Sequence, residues 1–159
     1  EGGDLFMALD SLEVVLQRKA PHKDALVFYV HLMADRFCPM HMAHLDDKGG
    51  NAVKMKWFGQ NTNLHSVWDT KIIDSKGFSY SEYANYLHDV YGSKRREVMQ
   101  LTDEQTILQT YHITDAIYQY HATWSGNAYH YTYHWTAPME WQMYTAGIKL
   151  AQALNRIYK

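Results

Sequence analysis

Two pairs of a histidine and an aspartate, each four positions apart, constrain the fold of this chain more than any other feature. They are His31 with Asp35 and His65 with Asp69. Residues four apart lie on the same face of an α-helix, so each pair can direct an imidazole and a carboxylate at one point. The first pair lies in the otherwise apolar segment Leu26–Asp35, where unpaired polar groups cost free energy. The spacing therefore predicts two helices that each present a pair of ligands to a divalent metal.

A further histidine lies between the two pairs, and it completes a set of five candidate ligands. A lone histidine on an apolar face is more often a core residue with satisfied hydrogen bonds than a ligand. Five ligand-type residues within positions 31–69 favour a metal site over a histidine-rich helical scaffold without metal. Nitrogen and oxygen donors without thiolate suit zinc at a catalytic site, where one coordination position stays open. We therefore predict that the ligands are His31, Asp35, His41, His65 and Asp69.

Length and composition indicate one domain and exclude several classes of protein. A chain of 159 residues is long enough to bury roughly 70% of its unfolded surface in one core. The net charge of −2 provides no general attraction to nucleic acid or to anionic membranes. No apolar run approaches the ~20 residues of a transmembrane helix, so we expect no membrane insertion. Cys38 is the only cysteine, and we expect neither an internal disulfide nor a cysteine-based zinc site.

Hydrophobic periodicity predicts a mainly α-helical, multi-helix single domain over residues 1–159, with at most a short β-hairpin. The first helix begins after Asp4 and ends at Lys19 and Ala20, and Pro21 begins the second helix. Residues 46–51 form a glycine-containing loop, and residues 52–58 alternate as one strand of a hairpin. The tract Tyr129–Trp135 is ambiguous between loop and extended chain. Further helices are predicted at 63–74, 81–91, 103–124 and from Pro138 to about Tyr158.

Several common catalytic motifs are missing from the sequence. It contains no His-Glu-x-x-His motif, which argues against the common helical zinc peptidases. It contains no Glu-x-x-His motif, which argues against a di-iron bundle. No glycine-rich phosphate loop follows a strand, so hydrolysis of nucleoside triphosphates is not expected.

The candidate ligands belong to longer motifs that resemble a known family. These motifs are His-x3-Asp-x5-His at 31–41, Asp-Lys-Gly-Gly-Asn at 47–51 and Asn-Thr-Asn-Leu-His-x3-Asp at 61–69. In this order they resemble the zinc-dependent single-strand-specific nucleases of the S1/P1 type, whose helical fold is shared with bacterial zinc phospholipases C. Residues 146–155 resemble the closing helix of that family. The resemblance covers essentially the whole chain.

The resemblance implies a role for each candidate ligand. His41, His65 and Asp69 match the three protein ligands of one zinc ion. His31 and Asp35 match ligands of a close zinc pair, in which Asp35 bridges the two ions. The intact family site holds three zinc ions, and this chain alone would provide the full ligand set of one.

The family's activity and one further site residue also follow from the resemblance. Asn61 matches a position that helps to hold the nucleotide. The family cleaves the bond between phosphorus and the 3′ oxygen of single-stranded DNA or RNA, leaves 5′ phosphates, and dephosphorylates 3′-nucleotides. The resemblance also implies a secreted or periplasmic protein.

One departure from the family suggests that this chain is the later part of a longer nuclease. The family's zinc pair also needs a histidine, an aspartate and an N-terminal tryptophan from an earlier part of the protein. These cannot be placed here, because His22 is the only other histidine before His31 and Glu1 is not a tryptophan. We therefore expect an upstream segment of the same protein to be a partner. Two alternatives stay open, namely a catalytically incomplete fragment that binds one zinc and a phospholipase C of the same fold.

The roles of His44 and of the tract Tyr129–Trp135 are not decided by the sequence. His44 is either an exposed residue near the site or a contact to metal. The aromatic tract either lines a substrate groove or packs in the core or at an interface, because tyrosine suits all of these settings.

Overall fold

A computed structural model describes residues 4–18 and 22–159 of the chain, which is mainly α-helical. Helix α1 spans Leu5–Leu16 and begins after Asp4, whose carboxylate accepts a hydrogen bond from the Met7 amide at 2.8 Å. Helix α2 spans Lys23–Asp35 and packs against α1. The prediction that Lys19, Ala20 and Pro21 separate these helices falls outside the described residues.

A short 3-10 helix and a glycine loop connect α2 to the β-hairpin. The 3-10 helix spans Pro39–Met42 and carries His41. Strands β1 (Lys54–Trp57) and β2 (Gln60–Asn63) pair antiparallel, with Lys54 opposite Asn63. Met55 and Trp57 are buried while the two lysines of β1 are exposed. The predicted alternation in this segment and its place in a hairpin are therefore confirmed.

The second pair of candidate ligands lies on a helical run that begins directly after β2. Asn63 caps this run by accepting a hydrogen bond from the Ser66 amide at 2.7 Å. The run consists of α3 (Leu64–Ser66), a π-helical turn (Val67–Lys71) and α4 (Ile72–Asp74). Apolar side chains on one face anchor it in the core, namely Leu64, Val67, Trp68 and Ile72. The helix predicted at 63–74 is confirmed.

The second half of the chain is a series of helices with well-defined N-termini. Helices α5 (Tyr80–Tyr91) and α7 (Asp103–Ala122) each begin with a capping box. In each, the hydroxyl of the N-cap residue accepts from a backbone amide in the first turn, and the Glu82 carboxylate or the Gln105 side-chain carbonyl accepts from the N-cap amide. Between them lie a 3-10 helix (Gly92–Lys94) and α6 (Arg95–Gln100). Helix α6 was not predicted, and its buried Val98 is its main contact with the core.

Helix α8 (Ala128–Ile157) corrects the prediction that the last helix begins at Pro138. It starts ten residues earlier, after Asn127 caps it by accepting a hydrogen bond from the His130 amide. The aromatic tract is therefore helical, because Tyr131 and Trp135 lie one turn apart and are both buried. Pro138 lies inside the helix and removes one backbone hydrogen bond without ending it.

The helices enclose a core that combines aliphatic side chains with several tryptophans and tyrosines. Trp68 packs against Trp135, and its indole N–H donates to the Tyr131 hydroxyl at 2.8 Å. A second buried cluster joins α1, α2 and the end of α8 through Leu9, Tyr29 and Ala153. None of the described helices is both long enough and apolar enough to span a bilayer.

Candidate metal centre

Three elements bring four of the predicted ligands into one line of contacts. Asp35, at the end of α2, has its Oδ2 3.2 Å from Nε2 of His31 and 3.3 Å from Nδ1 of His41. His41 then approaches Oδ1 of Asp69 with its Nε2, also at 3.3 Å. His41 is thus the central residue, with one carboxylate at each ring nitrogen. The spacing of the two His-x3-Asp pairs and the turn after α2 together produce this arrangement.

His65, the fifth predicted ligand, stacks on His41 with ring centroids 5.1 Å apart and planes inclined by 21°. Its Nδ1 lies 2.8 Å from the Gly49 carbonyl oxygen. A carbonyl can only accept a hydrogen bond, so Nδ1 carries the hydrogen, and in the neutral ring Nε2 holds the lone pair. Second partners of this kind orient metal-binding histidines in many proteins. The ring of His65 is therefore prepared to bind a metal through Nε2.

The two glycines of the loop allow it to lie close to the turn that carries His41. Gly49 and Gly50 have φ of +64° and +80°, which residues with a side chain rarely adopt. A Cβ added to Gly49 would lie 2.5 Å from the Met40 carbonyl oxygen, and one added to Gly50 would lie 2.9 Å from the Met40 sulfur. Only glycine permits this approach, which places the Gly49 carbonyl at His65.

Helix α7 fixes the position of the 3-10 helix. The buried Thr114 hydroxyl lies 3.0 Å from the Pro39 carbonyl oxygen and 2.9 Å from that of Thr110, so that its one hydrogen is shared between the two acceptors. Gln142 of α8 donates to the neighbouring Phe37 carbonyl at 3.0 Å. These contacts hold the backbone on the N-terminal side of His41 between two long helices.

The donor set fits zinc. Ligands at about 2.0–2.1 Å from a tetrahedral zinc ion lie roughly 3.3 Å from one another. The pairwise contacts of Asp35 and His41 have this spacing, at 3.2–3.3 Å, but they follow one another in a line. Among the described residues, the three ligand-type side chains whose donor atoms all lie within 4.8 Å of one another are Cys38, His41 and Asp69, without His65. Imidazole and carboxylate donors from three separate elements, at a partly exposed position, are typical of a catalytic rather than a structural zinc site.

Cys38 is a residue near the centre that the sequence analysis did not include. Its sulfur belongs to a group with one donor atom each of His41 and Asp69, all within 4.8 Å of one another. Burial raises the pKa of this thiol to about 11, and the nearby carboxylates of Asp69 and Asp35 also raise it. In the absence of a metal ion the thiol is therefore protonated at neutral pH. The one feature of the sequence that could have pointed to Cys38 is its position directly before the turn that carries His41.

The remaining site predictions lie on the surface around this centre. Asn61 is exposed on β2, opposite Lys56 of β1 and four residues before His65. His44 is exposed, and its ring packs edge-on against Tyr118 at a centroid distance of 4.5 Å.

A cleft of about 330 Å³ opens beside the centre. Asp35 and Asp69 contribute carboxylates to its lining, and α8 contributes apolar side chains that include Met139 and Met143. The carboxylates therefore lie at the boundary between an apolar wall and solvent.

Comparison with known proteins agrees with this geometry. The sequence model of a family described as S1/P1 Nuclease matches residues 3–159. Endonuclease 3 of Arabidopsis thaliana is 31% identical over 153 residues, which cover 85% of this chain and 51% of that protein. Endonuclease 5 of Arabidopsis thaliana is 46% identical over 52 residues, 33% of this chain and 18% of that protein. Nuclease S1 of Aspergillus oryzae is 38% identical over 58 residues, 36% of this chain and 20% of that protein. The chain thus spans about half the length of Endonuclease 3.

Proposed function

The chain belongs to the S1/P1 nuclease family, with its all-α phospholipase C/nuclease type of fold, and on this premise we propose that it forms part of a zinc-dependent phosphodiesterase acting on single-stranded nucleic acid. The observation that carries the proposal is the line of contacts from His31 through Asp35 and His41 to Asp69, with His65 stacked on its central ring. A bound zinc ion supplies Lewis-acid stabilisation of a phosphate group and activation of water.

The residues of this chain have distinct tasks in the proposed site. His41, His65 and Asp69 hold one zinc ion, while His31 and Asp35 contribute to a neighbouring pair. Asp35 would join His31 as a ligand of that pair, since its Oδ2 lies 3.2 Å from Nε2 of His31. The carboxylates also orient the imidazoles, since each ring nitrogen of His41 faces one of them.

The proposed substrate is single-stranded DNA or RNA, or a 3′-nucleotide, and the proposed products carry 5′ phosphates. Asn61 is proposed to hold a nucleotide, and it is available for this because it is exposed on β2, which leads directly into the helical run that carries His65. The ammonium group of exposed Lys56, on the opposing strand, is a candidate contact for phosphate. Nucleic acid would bind such a surface with its bases unstacked. Bases are free to unstack in a single-stranded substrate, so single-stranded DNA or RNA would be favoured.

We further propose that an upstream segment of the same protein provides the remaining ligands of a three-zinc site. This chain would then hold one zinc firmly and contribute two ligands to the others. The chain by itself would be a fragment that binds zinc without hydrolysing nucleic acid. Export from the cell is proposed on the family resemblance.

Activity assays test this proposal directly. Protein that contains this chain together with the upstream part of its reading frame is loaded with zinc and offered single-stranded DNA, RNA, a 3′-nucleotide and phosphatidylcholine. We expect cleavage of the nucleic acids and the nucleotide, and loss of this activity in His65→Ala. The variant His130→Ala, which alters an exposed histidine of α8, should remain active. Intact DNA and 3′-nucleotide would refute the proposal, and turnover of phosphatidylcholine alone would indicate a phospholipase.

A further inference from the structure

Helix α7 contacts the glycine loop through a side chain outside the family motifs. The Tyr118 hydroxyl donates a hydrogen bond to Oδ2 of Asp47 at 2.6 Å. The other oxygen of Asp47, Oδ1, accepts from the Gly50 amide at 2.7 Å. The carboxylate thus joins the helix to the backbone of the loop with two short, charge-assisted hydrogen bonds, which are stronger than neutral ones.

The same loop also contacts His65, both at its ring and at its backbone amide. The Asp47 carbonyl accepts from the Ala52 amide at 2.9 Å, which closes the loop on itself. Within it, the Gly49 carbonyl accepts the hydrogen of His65 Nδ1 at 2.8 Å, and the Gly50 carbonyl accepts from the His65 amide at 3.3 Å. Two adjacent carbonyls of one short loop therefore set both the backbone and the ring of this ligand.

His44 packs on the same tyrosine. Its ring lies edge-on to Tyr118, and its carbonyl accepts a hydrogen bond from the Gly49 amide at 2.8 Å. The residue thus touches the loop at the glycine whose own carbonyl faces His65. The position of the Tyr118 ring and the position of the Gly49 peptide are linked through this one residue.

We propose that Tyr118 and Asp47 form a clamp that positions His65, so that the loop holds the imidazole with Nδ1 protonated and Nε2 free for zinc. This inference rests on the proposed function, since it assigns His65 to zinc. Tyr118 and Asp47 are positioning residues, because they act through the Gly49 carbonyl. Burial, together with the hydrogen bond and the charge of Asp47, raises the pKa of the Tyr118 hydroxyl, which keeps it a donor across the neutral range.

The contribution of the Tyr118 hydroxyl to the clamp can be separated from the contribution of its ring to packing. Tyr118 and Asp47 are 71 positions apart in sequence, and their contact is between the loop and α7 alone. Replacement of Tyr118 by phenylalanine removes one oxygen and keeps the ring that packs on His44. The loop would then lose its tie to α7 while the core retains its volume.

A zinc titration measures the effect of the clamp on the affinity of the chain for zinc. Zinc alone is titrated into the wild-type protein, Tyr118→Phe and Tyr111→Phe, the last of which alters an exposed tyrosine of the same helix. We expect Tyr118→Phe to weaken zinc binding by up to about tenfold, the lower end of the 10–100-fold typical for loss of a ligand's direct partner, because Tyr118 acts on His65 through the loop. Tyr111→Phe should bind zinc like the wild type. Circular dichroism confirms that each variant is folded.

The tautomer of His65 provides a second measurement that needs no metal. In metal-free wild-type protein, ¹⁵N chemical shifts should show His65 with the hydrogen on Nδ1, and Tyr118→Phe should show a mixture of both tautomers. If Tyr118→Phe does not fold, Asp47→Ala tests the same contacts, because alanine has no side-chain acceptor for either hydrogen bond.

The outcomes separate the clamp from the proposed function. A folded Tyr118→Phe or Asp47→Ala that binds zinc with wild-type affinity and retains the Nδ1–H tautomer would overturn the clamp. A wild-type chain that binds no zinc would instead contradict the proposed metal site, and the tautomer comparison would still decide on the clamp.

Discussion

Replacement of Gly49 by alanine tests whether the close contact between the glycine loop and the 3-10 helix creates the metal centre. Alanine at φ +64° must adopt the left-handed conformation, which costs roughly 1–2 kcal/mol. Its Cβ would also lie 2.5 Å from the Met40 carbonyl oxygen, whereas ordinary contact begins near 3.4 Å. The loop and the 3-10 helix must therefore separate by roughly 0.9 Å, and such overpacking costs about 1–3 kcal/mol more.

Gly59→Ala is the matched control. Gly59 lies in the hairpin turn with φ +82°, and a Cβ there would meet no atom within 4 Å. This variant has the same conformational cost without the steric clash. We expect the free energy of unfolding of Gly49→Ala to fall below that of Gly59→Ala by about 1–3 kcal/mol, or about 2–12 °C in Tm for a chain of this size.

Urea unfolding and zinc titration provide the two measurements. Movement of Gly49 removes the acceptor for His65 Nδ1, and movement of Met40 displaces the adjacent His41, so zinc affinity should fall roughly tenfold or more. Gly59→Ala should bind zinc like the wild type. The reasoning is refuted if the two variants lose equal stability and both keep wild-type zinc affinity.

Three further variants test the packing that supports the site. Tyr131→Phe leaves the buried indole N–H of Trp68 without its acceptor, so the free energy of unfolding measured in urea should fall by about 1–3 kcal/mol; an unchanged value would contradict this hydrogen bond. Thr114→Val removes the donor to the Pro39 carbonyl and should cost about 1 kcal/mol in the same assay. Tyr29→Phe tests alkaline stability, because burial first, and then the Glu13 carboxylate, raise the pKa of the Tyr29 hydroxyl to about 12. The folded-state pKa exceeds the unfolded value of 10.0, so this stabilisation is present below pH 10 and is lost as the pH rises toward 12. The free energy of unfolding, measured in urea between pH 10 and pH 12, should therefore decrease less steeply with pH for Tyr29→Phe than for the wild type. An identical slope would contradict the raised pKa of Tyr29.

The helices that carry the candidate ligands could be predicted because the relevant sequence pattern is local. A four-residue spacing on a helix predicts that His31 and Asp35 share a face, and their contact at 3.2 Å agrees with this. The same spacing holds less well for His65 and Asp69, because Asp69 lies in the π-helical turn Val67–Lys71. The helix caps were similarly readable, since Asp4 and Thr102 act within their own turns. Whether the two pairs come together depends on contacts between segments that are distant in sequence, which no local pattern predicts. The expectation that they do came from the order of the motifs, which resembles that of a known family.

The aromatic tract shows why other features could not be predicted. Tyrosine and tryptophan favour strands when considered alone, so the local signal for Tyr129–Trp135 was ambiguous. Packing of Tyr131 and Trp135 against Trp68 decides for helix, and that contact joins positions more than sixty residues apart. The contact of Asp47 with Tyr118 is of the same kind. Cys38 was set aside because a single cysteine cannot form a cysteine-based zinc site, but its backbone places it beside His41.

Anomalous diffraction at the zinc absorption edge, from crystals of this chain grown with zinc, tests the central claim most directly. The account predicts a zinc peak within bonding distance of donor atoms of His41, His65 and Asp69. A map whose zinc peaks all lie elsewhere, with these three side chains bound to no ion, would contradict it.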